Sequence, residues 1–139
     1  MNSYDARVRY TRMVIEDCFL ALLQEKPVSK VTVTELCQMA QINRATFYKH
    51  YLDIPDLLEK TEEKLLDHIH RIYQNTQNIE QTFLDLMIYL KNNVQHYMVL
   101  GSAHGDPSLM SKMFELCMRE SAFMTDVNLP ELVAHQQDL

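Results

Sequence analysis

Hydrophobic positions recur at helical spacing through most of the chain. Ile15, Cys18, Phe19, Leu22 and Leu23 fall at i, i+3, i+4, i+7 and i+8, which predicts a helix over 6–24 with one apolar stripe. Pro27 ends it, because the residue before a proline is driven out of the helical region. The segment Val28-Ser-Lys-Val-Thr-Val-Thr is β-branched but has no partner strand, so it reads as a connector. Thr32 is a natural N-cap, and Glu35, three residues on, predicts a capping box. Leu36, Met39 and Ala40 supply the apolar face of a short helix. Gln41-Ile42 is a tight turn, and Asn43 caps a second short helix over 44–50. Two helices separated by so few residues form a helix-turn-helix.

Asp53-Ile-Pro-Asp opens a longer helix to about Gln74, with Leu58, Leu65, Leu66, Ile69 and Ile72 on its buried side. Asn75–Asn78 is a polar break. Residues 80–98 predict one amphipathic helix on Phe83, Leu86, Met87, Leu90, Val94 and Tyr97. Gly101-Ser-Ala-His-Gly-Asp-Pro is the clearest loop and holds both glycines. Pro107 opens a helix over 107–124, striped by Met110, Met113, Phe114 and Cys117. Pro130 is suited to start one more short helix.

Composition agrees with this all-α reading. The chain has 139 residues, of which 47% are hydrophobic and 23% charged, as in ordinary globular domains. Two glycines and four prolines are too few for the hairpins of an all-β fold. No apolar stretch approaches the roughly 18–20 residues of a membrane span. The first residues carry no basic region leading into an apolar one, so the expectation is no secretory signal, no membrane and a cytoplasmic location. Cys18, Cys37 and Cys117 are widely spaced and read as small buried hydrophobes.

Charge changes the picture once the chain is divided. The net charge of -6 belongs to residues 61–139, with five basic and eleven acidic side chains. Residues 1–60 carry eight of each. Arg7, Arg9 and Arg12 form one basic cluster there, and Arg44, Lys49 and His50 another. Local fields decide what a surface attracts.

The second short helix is too polar for a core helix. Phe47 and Tyr51 give it one anchoring edge, and Arg44, Thr46, Lys49 and His50 lie outside that edge. A helix of this size fits the DNA major groove with its first turn at base edges. Arginine pairs with guanine, threonine touches a thymine methyl, and Tyr, Lys and helix-start amides hold phosphates. No paired carboxylates, Ser-His-Asp set or glycine-rich phosphate loop is evident, so no catalytic residues, no cofactor and no enzyme activity are expected. His68 and His70 face different sides of a helix and make a poor metal pair, so no metal is expected either.

The run Ile42-Asn43-Arg44-Ala45-Thr46-Phe47-Tyr48-Lys49-His50-Tyr51 resembles the DNA-binding domain of the tetracycline-repressor (TetR) family. The approach Glu25-Lys-Pro-Val-Ser-Lys-Val-Thr-Val and the exit Asp53-Ile-Pro-Asp-Leu-Leu match too, so the resemblance covers about residues 8–70. Asn43-Arg44 and the later Leu90-Lys-Asn-Asn, Tyr97 and Gly105-Asp106 are similar to a Firmicutes-type subgroup that includes regulators related to dihydroxyacetone kinase operons. The resemblance implies that Thr32 and Thr34 meet phosphate, and that Asn43, Arg44, Ala45 and Thr46 face bases or adjacent backbone. It implies that Tyr48, Lys49 and His50 hold phosphates, while Phe47 and Tyr51 pack inside. Two departures stand out. Gln41 replaces the family's usual glycine and calls for a positive φ, and Ile54 replaces a frequent phosphate-gripping lysine.

The domains expected are a helix-turn-helix DNA-binding domain over 1–53 and a helical regulatory domain over 54–139, shorter than is usual for the family. In the family this second lobe encloses a small-molecule pocket and supplies the dimer interface. Met87, Tyr89, Tyr97, Met110, Met113 and Phe114 are the candidate pocket residues, with ordinary core packing as the competing reading. The expected function is a transcriptional regulator, a repressor on a palindromic operator, acting as a homodimer on double-stranded DNA under a small-molecule or protein effector. The alternative is a protein-interaction module that keeps the fold without strong DNA binding of its own.

Overall fold

The computed structural model describes residues 2–125. Among them are seven α-helices and one 3-10 turn, and no strand. The helices are α1 (Ser3–Glu25), α2 (Val33–Ala40), α3 (Arg44–His50), α4 (Ile54–Asn75), α5 (Ile79–Asn92), α6 (Val94–Leu100) and α7 (Leu109–Thr125). The 3-10 turn spans Val28–Lys30. The helix proposed to start at Pro130 lies outside the described residues. No described helix is long and apolar enough to cross a membrane. The chain divides into two compact units, one of residues 2–63 with 95–109 and one of 64–94 with 110–125.

In the first unit α1 and α2 pack together, and α2 packs on α3. Ile15, Phe19, Leu22 and Leu23 from α1 are buried with Leu36 of α2, Phe47 of α3 and Leu57 of α4. The α1 stripe matches the one its spacing predicts at four of five positions: Cys18, like Cys117, is half-buried rather than buried, and Leu20 is buried in addition. The helix begins earlier than 6, because the Asn2 side chain accepts from Tyr4 N at 3.2 Å and caps it. In α2 the buried face is Leu36, Cys37 and Ala40, and Met39 is exposed.

In the second unit Leu65, Ile69 and Tyr73 of α4, Leu86 of α5 and Met113 of α7 are buried. Along α4 the buried line runs Ile54, Leu57, Thr61, Leu65, Ile69 and Tyr73. Leu57 and Tyr73 take the central places assigned from the sequence to Leu58 and Ile72, which are half-buried on its flank. The Thr61 hydroxyl donates to Leu57 O at 2.7 Å, so its burial leaves no orphaned group.

The single helix predicted over 80–98 is two helices, α5 and α6, parted at Asn93. Asn93 leaves helical geometry at φ -120°, ψ 19°, and its side-chain amide donates to Tyr89 O at 2.9 Å. An asparagine that bonds the preceding turn in this way ends a helix that the apolar spacing alone would continue. Phe83, Met87 and Val94 are exposed, against the buried stripe expected of them. The predicted stripe of α7 also shifts. Met113 is buried, whereas Met110 and Phe114 are exposed. The α7 helix starts at Leu109, after a turn in which Asp106 accepts from Ser108 N at 2.9 Å and from its hydroxyl at 2.6 Å.

Candidate nucleic-acid interface

Three residues connect α2 to α3, and each has a defined task. Gln41 stands at φ 56°, ψ 44°, the one non-glycine residue at positive φ among the described residues. Its N–H donates to Gln38 O at 3.3 Å, and Ile42 N donates to Cys37 O at 3.0 Å. This pair of bonds is a Schellman stop, normally built on glycine. The αL geometry at Gln41 is thus a local backbone strain of about 1–2 kcal/mol for an L-residue. Asn43 then caps α3, its Oδ1 accepting from Thr46 N at 2.8 Å and from the Thr46 hydroxyl at 2.9 Å. The Cys37 thiol donates to Asn43 O at 3.9 Å, tying the turn to α2. Burial pushes that thiol's pKa up, the opposite of what a reactive cysteine needs.

Before α2, the Thr32 hydroxyl oxygen accepts from Glu35 N at 3.1 Å, so the predicted cap forms. The Glu35 carboxylate pairs with Lys26 rather than reaching back to the cap, so the capping box is half made.

Phe47 is fully buried and its ring lies 5.6 Å from that of Tyr51, which is also buried. Burial holds the Tyr51 phenol protonated, with its pKa pushed up to about 12. These two anchors turn the other side of α3 outward. Thr32, Thr34, Asn43, Arg44, Ala45, Tyr48 and Lys49 are exposed, and Thr46 and His50 half-buried. All nine residues singled out from the sequence belong to the first unit, and those on α3 share its outer surface. Arg44 Nη2 donates to the Tyr48 hydroxyl at 3.2 Å, and this bond raises the guanidinium pKa.

Two cations beside α3 were not assigned from the sequence. Arg12 of α1 donates from Nε to His50 Nδ1 at 3.3 Å. Lys60 of α4 donates to the His50 carbonyl at 3.4 Å and pairs with Asp56 at 3.1 Å. A lysine on a last-turn carbonyl satisfies an orphan acceptor and complements the helix dipole. Arg12 belongs to the N-terminal basic cluster, so its charge was visible; its reach to α3 was not. Ile54 is core. Asp53 caps α4 by accepting from Asp56 N at 2.8 Å, and Asp56 accepts in turn from Leu52 N at 2.8 Å. That bond and Lys60 hold the Asp56 carboxyl below its ordinary pKa.

The candidate pocket residues are scattered. Met87, Met110 and Phe114 are exposed, Met113 is core, and Tyr97 is half-buried in the first unit. Tyr89 stacks on His68 with ring centroids 4.0 Å apart. His70 is paired with Glu120. In the second unit a cavity of about 370 Å³ is lined by Leu66, Asp67, His70, Lys112, Glu115, Leu116 and Arg119, none of the six candidates.

A capped helix, a left-handed turn and a short polar helix with buried aromatic anchors define a helix-turn-helix unit. The chain is similar to an uncharacterized HTH-type transcriptional regulator, YxbF, of Bacillus subtilis (strain 168), with 33% identity over 70 residues. That match takes in 47% of this chain and 18% of the relative, so the chain spans less than a fifth of the relative's length. No protein-family model matches the chain. Geometry and likeness together support the class of helix-turn-helix DNA-binding regulators.

Proposed function

We propose that the chain is a transcriptional regulator of the tetracycline-repressor type, which reads DNA through α3. The observation that carries this is the outward face of α3: Arg44, Tyr48 and Lys49 exposed on a helix fixed from behind by Phe47 and Tyr51. In this reading Asn43, Arg44, Ala45 and Thr46 face bases or the adjacent backbone. Thr32, Thr34, Tyr48, Lys49 and His50 meet the phosphates. Residues 1–53 are the reading domain and 54–139 the regulatory one.

A homodimer is proposed because two reading helices about 34–36 Å apart would match successive major grooves of a palindromic operator. The repressor role follows if an effector in the second unit favours a dimer whose two α3 helices are out of register with those grooves. Within that unit Met87, Tyr89, Met110, Met113 and Phe114 are the effector contacts proposed, with the cavity beside His70 as a second place for a small molecule, and Tyr97 is a separate candidate in the first unit.

Selection of bound duplexes from a random pool tests the proposal. A palindromic consensus is the expected outcome, and no enrichment over input at low salt overturns it. One observation favours the second reading, a protein-interaction module: Phe83 and Phe114 are 63% and 66% exposed. A chain that stays monomeric, selects no DNA and binds a protein through those side chains would establish it.

A further inference from the structure

We infer that the loop between α6 and α7 is a positioning element for the helix-turn-helix, with His104 as its pin; the inference rests on the DNA-reading role proposed above for α3. Both partners of this contact lie in the first unit. Backbone hydrogen bonds fold the loop back on itself. Gly101 N donates to Tyr97 O at 2.9 Å, Gly105 N to Ser102 O at 3.1 Å and Asp106 N to Leu100 O at 2.6 Å. A Cβ at Gly105 would lie 2.2 Å from Leu100 O, so the fold-back admits only glycine there. Leu100 and Leu109, on either side, are buried.

What this loop presents is His104. Its ring Nδ1 is 2.6 Å from Leu23 O, and its backbone carbonyl accepts from Val28 N at 2.7 Å. Leu23 O only accepts, so the ring must carry its proton on Nδ1 and donate. Leu23 sits in the last turn of α1, where carbonyls lack helical partners. Val28 opens the 3-10 turn that leads through Val31 to the Thr32 cap of α2. One residue therefore holds both sides of the bend at Pro27, which sets the angle at which the chain leaves α1 and enters the reading helices. Nothing in the local sequence of that bend supplies these two bonds. They come from a residue 81 positions beyond Leu23.

Hydrogen exchange on the full chain tests this without DNA. In His104→Ala the amides of Val28, α2 and α3 are expected to exchange up to about tenfold faster, while Leu86 in α5 is unchanged. His104→Asn, whose amide nitrogen overlies Nδ1, restores most of the protection. Unchanged exchange in α2 and α3 of His104→Ala overturns the inference. Should that variant not fold, the ring tautomer of the wild-type chain decides by nitrogen NMR: a proton on Nδ1 supports the pin, and one on Nε2 alone sinks it. On a selected duplex, His104→Ala is expected to lose up to about tenfold in affinity and to keep its affinity for random duplex. Equal loss on both, or none on either, overturns the positioning role. A wild-type chain that selects no DNA refutes the reading role instead, and the exchange result still stands or falls by itself.

Discussion

Arg44 and Tyr48 stand one helical turn apart on the outer face of α3, with the guanidinium donating to the phenol oxygen at 3.2 Å. Arg44 Cζ lies 5.8 Å from the Tyr48 ring centroid. A flexible arginine is thereby held in one orientation before any partner arrives, which lowers the entropy lost on binding. On the reading proposed, Arg44→Ala costs about 1–3 kcal/mol on the selected site and relaxes preference at one base position. Tyr48→Phe removes the hydroxyl, which accepts from Arg44 and in the proposed complex donates to a phosphate, and costs about 0.5–1.5 kcal/mol per hydrogen bond lost. Quantitative binding to a panel of single-base variants checks both. If Arg44→Ala leaves base preference intact, α3 is not the reading helix.

Lys49 carries a different expectation. It is exposed in the last turn of α3, beside Arg12 and Lys60, which bond the side chain and carbonyl of His50. A phosphate contact has no base preference, so Lys49→Ala weakens all duplexes alike and flattens the salt dependence by about one unit of slope. Binding titrations at several salt concentrations measure this. A slope equal to that of the wild type removes Lys49 from the phosphate-contacting set.

The helix-turn-helix was legible in the sequence because its signals are local. Thr32 and Asn43 are caps, Gln41 stands at a glycine position, and the Phe47–Tyr51 pair marks one edge. Each of these works within four residues of itself. Lys60 and Arg12 were not legible beside His50, since their places depend on how α4 and α1 pack on α3. The same limit applies to the apolar faces after residue 78. Periodicity tells which residues share a face, but the identity of the covered face depends on its neighbours. Phe83, Met110 and Phe114 are exposed where the spacing suggested burial. The break at Asn93 was a composition signal, two successive asparagines, outweighed by the apolar spacing on either side.

The left-handed turn at Gln41 makes a prediction about stability. Its φ of 56° costs an L-residue about 1–2 kcal/mol, whereas glycine adopts it freely. Against this, glycine gives the unfolded chain more freedom, roughly 0.5–1 kcal/mol. Gln41→Gly is therefore expected to raise stability by about 0.5–1 kcal/mol, the difference between those ranges. Gln41→Val, β-branched and poorly suited to αL, lowers it. Urea midpoints of the three chains rank them. A Gln41→Gly chain less stable than the wild type would mean that the Gln41 side chain contributes more than its backbone strain.

Phe47 tests the anchoring of α3 from behind. It has no exposed surface and lies against Tyr51. Phe47→Ala is expected to cost about 3–5 kcal/mol, the range for emptying a buried aromatic site. Thermal unfolding measures the loss. A cost below about 0.5 kcal/mol, the range of ordinary surface changes, would show that α3 is not held by this ring.

His50 gives the chain a pH dependence whose sign can be worked out. Partial burial, then Arg12 and then Lys49 all lower its pKa from 6.5. Its Nδ1 accepts from Arg12 at 3.3 Å, and a proton on that nitrogen would end the bond. The folded chain therefore takes up this proton at lower pH than the unfolded chain does. Above about pH 6.5 both are neutral at His50 and the contribution to stability is complete. As pH falls through 6.5, the unfolded state gains the proton first, and the contribution is lost by the time pH passes the folded value. Titration of the His50 ring by NMR should give a midpoint below 6.5, and Arg12→Ala should move it upward. A midpoint at or above 6.5, or one unmoved in Arg12→Ala, would mean that the guanidinium does not face this ring in solution.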